Sequence, residues 1–116
     1  MGAASDRVLA AAMTAAQPGA IGLVHVTGPP GGLDRLHEAL TGAASGAPGA
    51  AVRVRFLGAD GEAFDDGLTV RVRGELLECM PHGGIRVMQR VLGRLESLGA
   101  TIVAAEDLPA SAAAPE

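Results

Sequence analysis

The sequence predicts an α+β fold, a mixed β-sheet with two helices on one face. Three observations lead there. Two segments, AVRVRFLG and LTVRVRG, alternate strictly between apolar and polar residues and are joined by a loop rich in Gly and Asp, the pattern of an antiparallel strand pair. An apolar stripe at helical spacing runs from about Ile85 to Leu98. Short apolar runs of strand length lie on either side of the helical segments.

Taken in order, Val8 to Ala15 is a buried strand or a short Ala-rich helix, and periodicity alone does not separate the two. Pro18-Gly19 breaks it. IGLVHVTG is a strand apolar on both faces, which places it centrally in a sheet. GPPGG ends it. Leu33, Leu36, His37 and Leu40 then mark a short amphipathic helix, followed by the low-complexity loop TGAASGAPGA. In the first alternating strand Val52, Val54 and Phe56 share one face and Arg53 and Arg55 the other. ADGEAFDDG turns the chain. The second strand sets Leu68, Val70 and Val72 opposite Thr69, Arg71 and Arg73. ELLECM is a further strand. The long helix carries Ile85, Met88, Val91, Leu92, Leu95 and Leu98 on its apolar side, and Gly99 stops it. ATIVAA is the last strand. The expected domain spans 1–108, with 109–116 a flexible tail.

Composition narrows the function. The chain has 116 residues, enough for one domain with a real core. Aromatic residues make up 2% and neither Tyr nor Trp occurs, so aliphatic side chains must fill that core. All nine basic residues are Arg. Without Lys there is no Walker-type phosphate loop and no Schiff-base chemistry. A net charge of -4 argues against direct nucleic-acid binding. The single Cys79 forms no internal disulfide, which fits a reducing cytoplasm. No apolar run reaches membrane-spanning length. VLAAAMTAA after Arg7 is too weakly apolar for a leader, and MGAASD lacks the hydroxyl residue of an N-myristoylation signal.

The residues with chemical potential cluster late in the chain. In Pro81-His82-Gly83-Gly84, two glycines at a helix start offer free N–H groups to a carboxylate or phosphate, or simply turn the chain. Glu78 stands inside the apolar run LLECM, where a carboxylate is costly unless paired or used; it suits a ligand with adjacent N–H donors, or it points to solvent. His25 lies inside an apolar strand. A Cys79–His82 nucleophile pair and a metal site from His25, His37 and His82 have no spacing signal behind them. If the alternating strands pair, Arg53, Arg55, Arg71 and Arg73 share one face, solvated beside nearby acids or met by an anionic partner.

Ordered together, these segments resemble the N-terminal domain of the tRNA modification GTPases of the MnmE (TrmE) family. AQPGAIGLVHVTG is similar to that family's Pro-Gly loop and second strand, with Thr27-Gly28 for its Ser-Gly pair. GADGEAFDDG is similar to its Asp-Gly-x-x-x-Asp hairpin, and LLECMPHGGIRVMQRVLGRLESLGA to its strand with a Glu four residues before His-Gly-Gly, and then its helix. Order and spacing agree over roughly residues 8–108.

The resemblance implies a fold related to tetrahydrofolate-binding aminomethyltransferase domains and homodimerisation through it. It also implies 5-formyl-tetrahydrofolate or a related folate as ligand and a connection to wobble-uridine modification of tRNA; the residues themselves add the expectation of no nucleotide, for want of a phosphate-loop Lys, and no metal, for want of ligand spacing. Its folate contacts fall on Glu78 and, at the position of an arginine, on His25; His82, Gly83 and Gly84 would line the same pocket. The chain departs from the family in three ways: the Pro-Gly-Arg-Gly-Gly loop is shortened to Pro18-Gly19-Ala20, Gly74 runs straight into Glu75, and His25 replaces the arginine's planar fork of donors. A downstream lysine and the GTPase motifs have no counterpart. The expectation is therefore a module that is not an enzyme alone and works with a GTPase or tRNA-modification partner. The alternative is an interaction module that kept the dimer surface and lost folate.

Overall fold

The computed structural model of the protein describes residues 7–109. The MGAASD start, with its acylation reading, and the tail beyond residue 109 lie outside the described residues. The strands are β1 (Leu9–Ala12), β2 (Val24–Thr27), β3 (Ala51–Leu57), β4 (Ala63–Arg73), β5 (Leu76–Met80) and β6 (Thr101–Ile102). The helices are α1 (Pro30–Thr41) and α2 (Ile85–Ser97). Element order is as expected, and the sheet runs β3-β4-β5-β2-β1-β6. The β1–β6 pair is parallel and the other neighbours are antiparallel, so the sheet is mixed and the fold is α+β. The ambiguous Val8–Ala15 segment settles as a strand because it finds partners on both sides, β2 and β6.

One apolar cluster holds the two layers together. Val24, Val26, Val54, Phe56, Leu77 and Cys79 from the sheet meet Leu33, Leu36 and Leu40 of α1 and Met88, Val91 and Leu95 of α2. Both helices therefore cover the same sheet face, and each fully buried Leu or Phe contributes roughly 1.5–3 kcal/mol. Helix ends follow residue chemistry. Pro30 suits the first turn of α1, three residues ahead of the expected Leu33, because its missing N–H has no partner to lose there. Gly42 (φ 76°) closes α1 and Gly99 (φ 106°) follows α2, each in the left-handed region where a Cβ is strained.

Three expectations about faces and boundaries need correction. Ile85 is 61% exposed and lies off the buried stripe of α2. The hairpin loop is short, closed by Gly58 N–H donating to the Glu62 carbonyl and Gly61 N–H to the Gly58 carbonyl, and β4 begins at Ala63, so Asp65 and Asp66 sit in a strand. The four arginines do not share a face. Arg53 pairs with Leu68 while Val52 pairs with Thr69, so in β4 the polar set Thr69 and Arg71 turns toward the helices. Leu68, Val70 and Val72 take the opposite face and are half-buried.

The inward polar residues are satisfied. His37 is fully buried; its Nδ1–H donates to the Ala43 carbonyl (2.7 Å), and its Nε2 accepts from the Thr69 hydroxyl (2.8 Å). Burial pushes the His37 pKa below its ordinary 6.5, with Arg71 adding to the effect and the Ala43 bond opposing it. The unfolded chain then binds this proton more readily than the folded one. The His37 contribution is complete above about pH 6.5 and is lost as pH falls toward the lower folded value. Urea titrations at pH 7.5 and 5.5 should show wild type losing more stability on acidification than His37→Gln. Exposed His82 titrates with the opposite sign in both proteins, so it cancels in the comparison. Equal acid losses would contradict this reading.

Candidate functional site

The candidate site lies on the sheet face away from the helices. Strand register places Val70, Glu78, His25 and Ala11 directly across from one another on β4, β5, β2 and β1. Glu78 and His25 touch: His25 Nε2–H donates to Glu78 Oε2 at 3.0 Å. The His25 side chain is 11% exposed and that of Glu78 28%, so the carboxylate can be reached and the imidazole is nearly enclosed. Buried His25 Nδ1 has no hydrogen-bond partner among the described residues. That buried nitrogen is closed to a ligand, so the reachable part of the pair is the Glu78 carboxylate, an acceptor for a ligand edge that carries N–H groups.

Cys79, on the opposite face of β5, is buried and its thiol is pushed up to about 12, chiefly by burial, with Glu78 adding to it. It is an inert core residue and forms no pair with His82.

The Pro81–Gly84 turn brings His82 to a different place from Glu78. His82 N–H donates to Asp65 Oδ2 (2.9 Å) and its Nδ1–H to Asp65 Oδ1 (2.7 Å), which orients the ring and holds its pKa above the ordinary value. Beside this turn Gly67 lets β4 pack closely on β5, since a Cβ there would collide with the Met80 carbonyl. Asp65, Asp66 and His82 bring potential ligand atoms within 4.8 Å of one another. Both Asp65 oxygens are already engaged by His82, which leaves too few free donors for the four-ligand set that zinc takes. The three histidines have separate partners: His25 with Glu78, His37 with Thr69 and His82 with Asp65.

The two glycines of the turn differ. Gly83 packs against the Ala20 backbone; a Cβ would sit 2.8 Å from the Ala20 oxygen. Its carbonyl accepts from Gln17 N–H, and Gly22 N–H donates to the Pro81 carbonyl, so the Pro-Gly loop and this turn are stitched together. Gly84 is the N-cap of α2, with open space where its side chain would be and no capping side chain. Next to His82 lies a surface cleft of about 390 Å³, lined by Arg53, Asp66, Leu68 and His82 with Val54 and Gly67 beneath. A smaller apolar recess of about 130 Å³ adjoins it at Ile21, Met80 and Pro81. Sequence reasoning named Glu78, His25 and His82 but missed Asp65, whose role depends on a contact 17 residues away in the chain.

No protein-family model matches the chain. Sequence comparison finds the tRNA modification GTPase MnmE of Bordetella avium, 36% identical over 101 residues, covering 81% of this chain and 22% of that protein. The chain is related to a segment of MnmE. The MnmE proteins of Bordetella parapertussis and Bordetella bronchiseptica are each 36% identical over 98 residues, covering 78% of the chain and 21% of their own length. The chain thus spans about a fifth of the MnmE proteins it matches. Among the described residues no helix is long and apolar enough to cross a membrane.

Proposed function

We propose that this chain is a folate-binding and dimerisation module of the MnmE type, acting in the cytoplasm in tRNA wobble-uridine modification. The carrying observation is the Glu78–His25 pair, a reachable carboxylate beside a buried imidazole nitrogen that has no partner among the described residues. A reduced pterin presents adjacent ring and amino N–H groups, which suit the two oxygens of a carboxylate such as Glu78. The ligand is 5-formyl-tetrahydrofolate or a related folate. Half-buried Val70 and Val72 give the same face apolar character that a second copy would cover. The module is not an enzyme alone; a GTPase or another tRNA-modification protein supplies the chemistry.

A second reading has one observation in its favour. Glu78 Oε2 is already satisfied by His25, so the pair also stands as a closed structural contact in an interaction module without folate. Calorimetry with 5-formyl-tetrahydrofolate separates the two. Binding by wild type, weakened at least tenfold in Glu78→Ala, supports the folate reading, since a hydrogen bond to a charged group contributes about 1.5–3 kcal/mol. No heat at millimolar ligand removes it. Light scattering that finds only monomer removes the dimer from both readings.

A further inference from the structure

The sheet face that carries Glu78 has a second polar end, which the Glu78–His25 pair leaves unused. Register sets Arg53 opposite Leu68 and Leu68 opposite Met80, one row along from the row of Val70, Glu78 and His25. Arg53 is exposed, and among the described residues no carboxylate forms an ion pair with it. Across the cleft of about 390 Å³ stands His82. Its Nδ1 is held by Asp65, which leaves Nε2 as its free ring nitrogen. Asp66 also lines the cleft, with Oδ1 4.0 Å from His82 Nδ1, and register places it opposite Arg55. Between this end and Glu78 lie the apolar side chains of Leu68 and Met80.

The spacing has chemical meaning. Glu78 and His82 are four residues apart along one extended segment, about 13 Å at roughly 3.3 Å per residue. The face therefore offers, in sequence, a carboxylate acceptor, an apolar strip and a cationic end. We propose that Arg53 and His82 bind the carboxylate end of an elongated ligand whose N–H edge sits on Glu78 and whose apolar middle lies on Leu68 and Met80. This inference rests on the folate-type reading of the Glu78 pair, and it adds the subsite for the glutamyl tail. Arg53 supplies a planar fork suited to a carboxylate, and the ring of His82, in the protonated form that its hydrogen bond to Asp65 favours, adds a second donor at Nε2. Asp65 is a positioning residue that acts through His82.

Three probes test the proposal: 5-formyl-tetrahydrofolate, a tetrahydropterin that lacks the tail, and p-aminobenzoyl-glutamate, the tail without the ring. Arg53→Gln is expected to weaken 5-formyl-tetrahydrofolate about tenfold and leave the tetrahydropterin unchanged, whereas Glu78→Ala weakens both. Equal affinity of Arg53→Gln and wild type for 5-formyl-tetrahydrofolate would overturn the subsite. The tail probe separates the two readings. In wild type p-aminobenzoyl-glutamate should shift the imidazole resonances of His82, and in Arg53→Gln it should not. That pair of results upholds the carboxylate subsite even where the tetrahydropterin fails to bind, a failure that strikes the Glu78 reading alone. An unmoved His82 in wild type overturns the subsite.

Discussion

Replacing Arg71 with methionine is expected to lower the unfolding free energy by about 3 kcal/mol, the size seen when one member of a buried polar network is removed. Arg71 is 6% exposed and its guanidinium is fully used. Nη1 donates to Asp34 Oδ1 and Ser45 Oγ, both at 2.8 Å, Nη2 to the carbonyls of Pro30 and Gly74, and Nε again to Gly74. One side chain thereby ties the start of α1, the loop before β3 and the β4–β5 turn together. Its backbone carbonyl also accepts from Gly49 N–H. Methionine fills much of the volume but leaves the Pro30 and Gly74 carbonyls without this donor. At an m-value of about 1.5 kcal/mol/M, the urea midpoint should fall by roughly 2 M. Arg71→Lys should recover less than half of that, because an ammonium cannot reproduce the planar fork. A midpoint unchanged in Arg71→Met would show that the network carries no stability.

The double variant Glu78→Leu/His25→Val should separate stability from binding. Replacing both partners of a largely buried hydrogen bond with apolar residues is often neutral or stabilising, and the strand around Glu78 is already apolar. The double variant is therefore expected to unfold at a midpoint equal to or above that of wild type. It should lose affinity for 5-formyl-tetrahydrofolate by at least about a hundredfold, or ~2.7 kcal/mol, since the carboxylate that takes the ligand's N–H groups is gone. Glu78→Leu alone should be less stable than wild type by about 1–2 kcal/mol, because it strands the His25 Nε2–H. Retained affinity in the double variant would move the site elsewhere. A double variant far less stable than wild type would make the pair a structural contact.

The sequence made the elements and their order legible, because each carries its own period and its own breakers: alternation in β3 and β4, the stripe of α2, Gly99 after it. What it hid was orientation. Alternation divides β4 into two sets of side chains but does not say which set faces the helices. The polar set turns inward because Thr69 and Arg71 find inward partners in His37 and Asp34. Those contacts span 32 and 37 residues, so no local pattern announces them. Within the site, Glu78 was legible as a charge in an apolar run. That His25 faces it follows from β2–β5 pairing, and that His82 turns instead to Asp65 follows from β4 extending back to Ala63. The expected cluster of Glu78, His25, His82, Gly83 and Gly84 is thus two groups at opposite ends of one face, with Gly83 packed on Ala20.

The most direct measurement is the ¹⁵N spectrum of the His25 imidazole, recorded with and without 5-formyl-tetrahydrofolate. Free protein should show Nε2 as a protonated nitrogen donating to Glu78. Saturating ligand should shift the Nε2 resonance, because the ligand's N–H edge draws on the same carboxylate. A His25 spectrum unchanged at saturating ligand would contradict the assignment of the Glu78–His25 pair as the anchor.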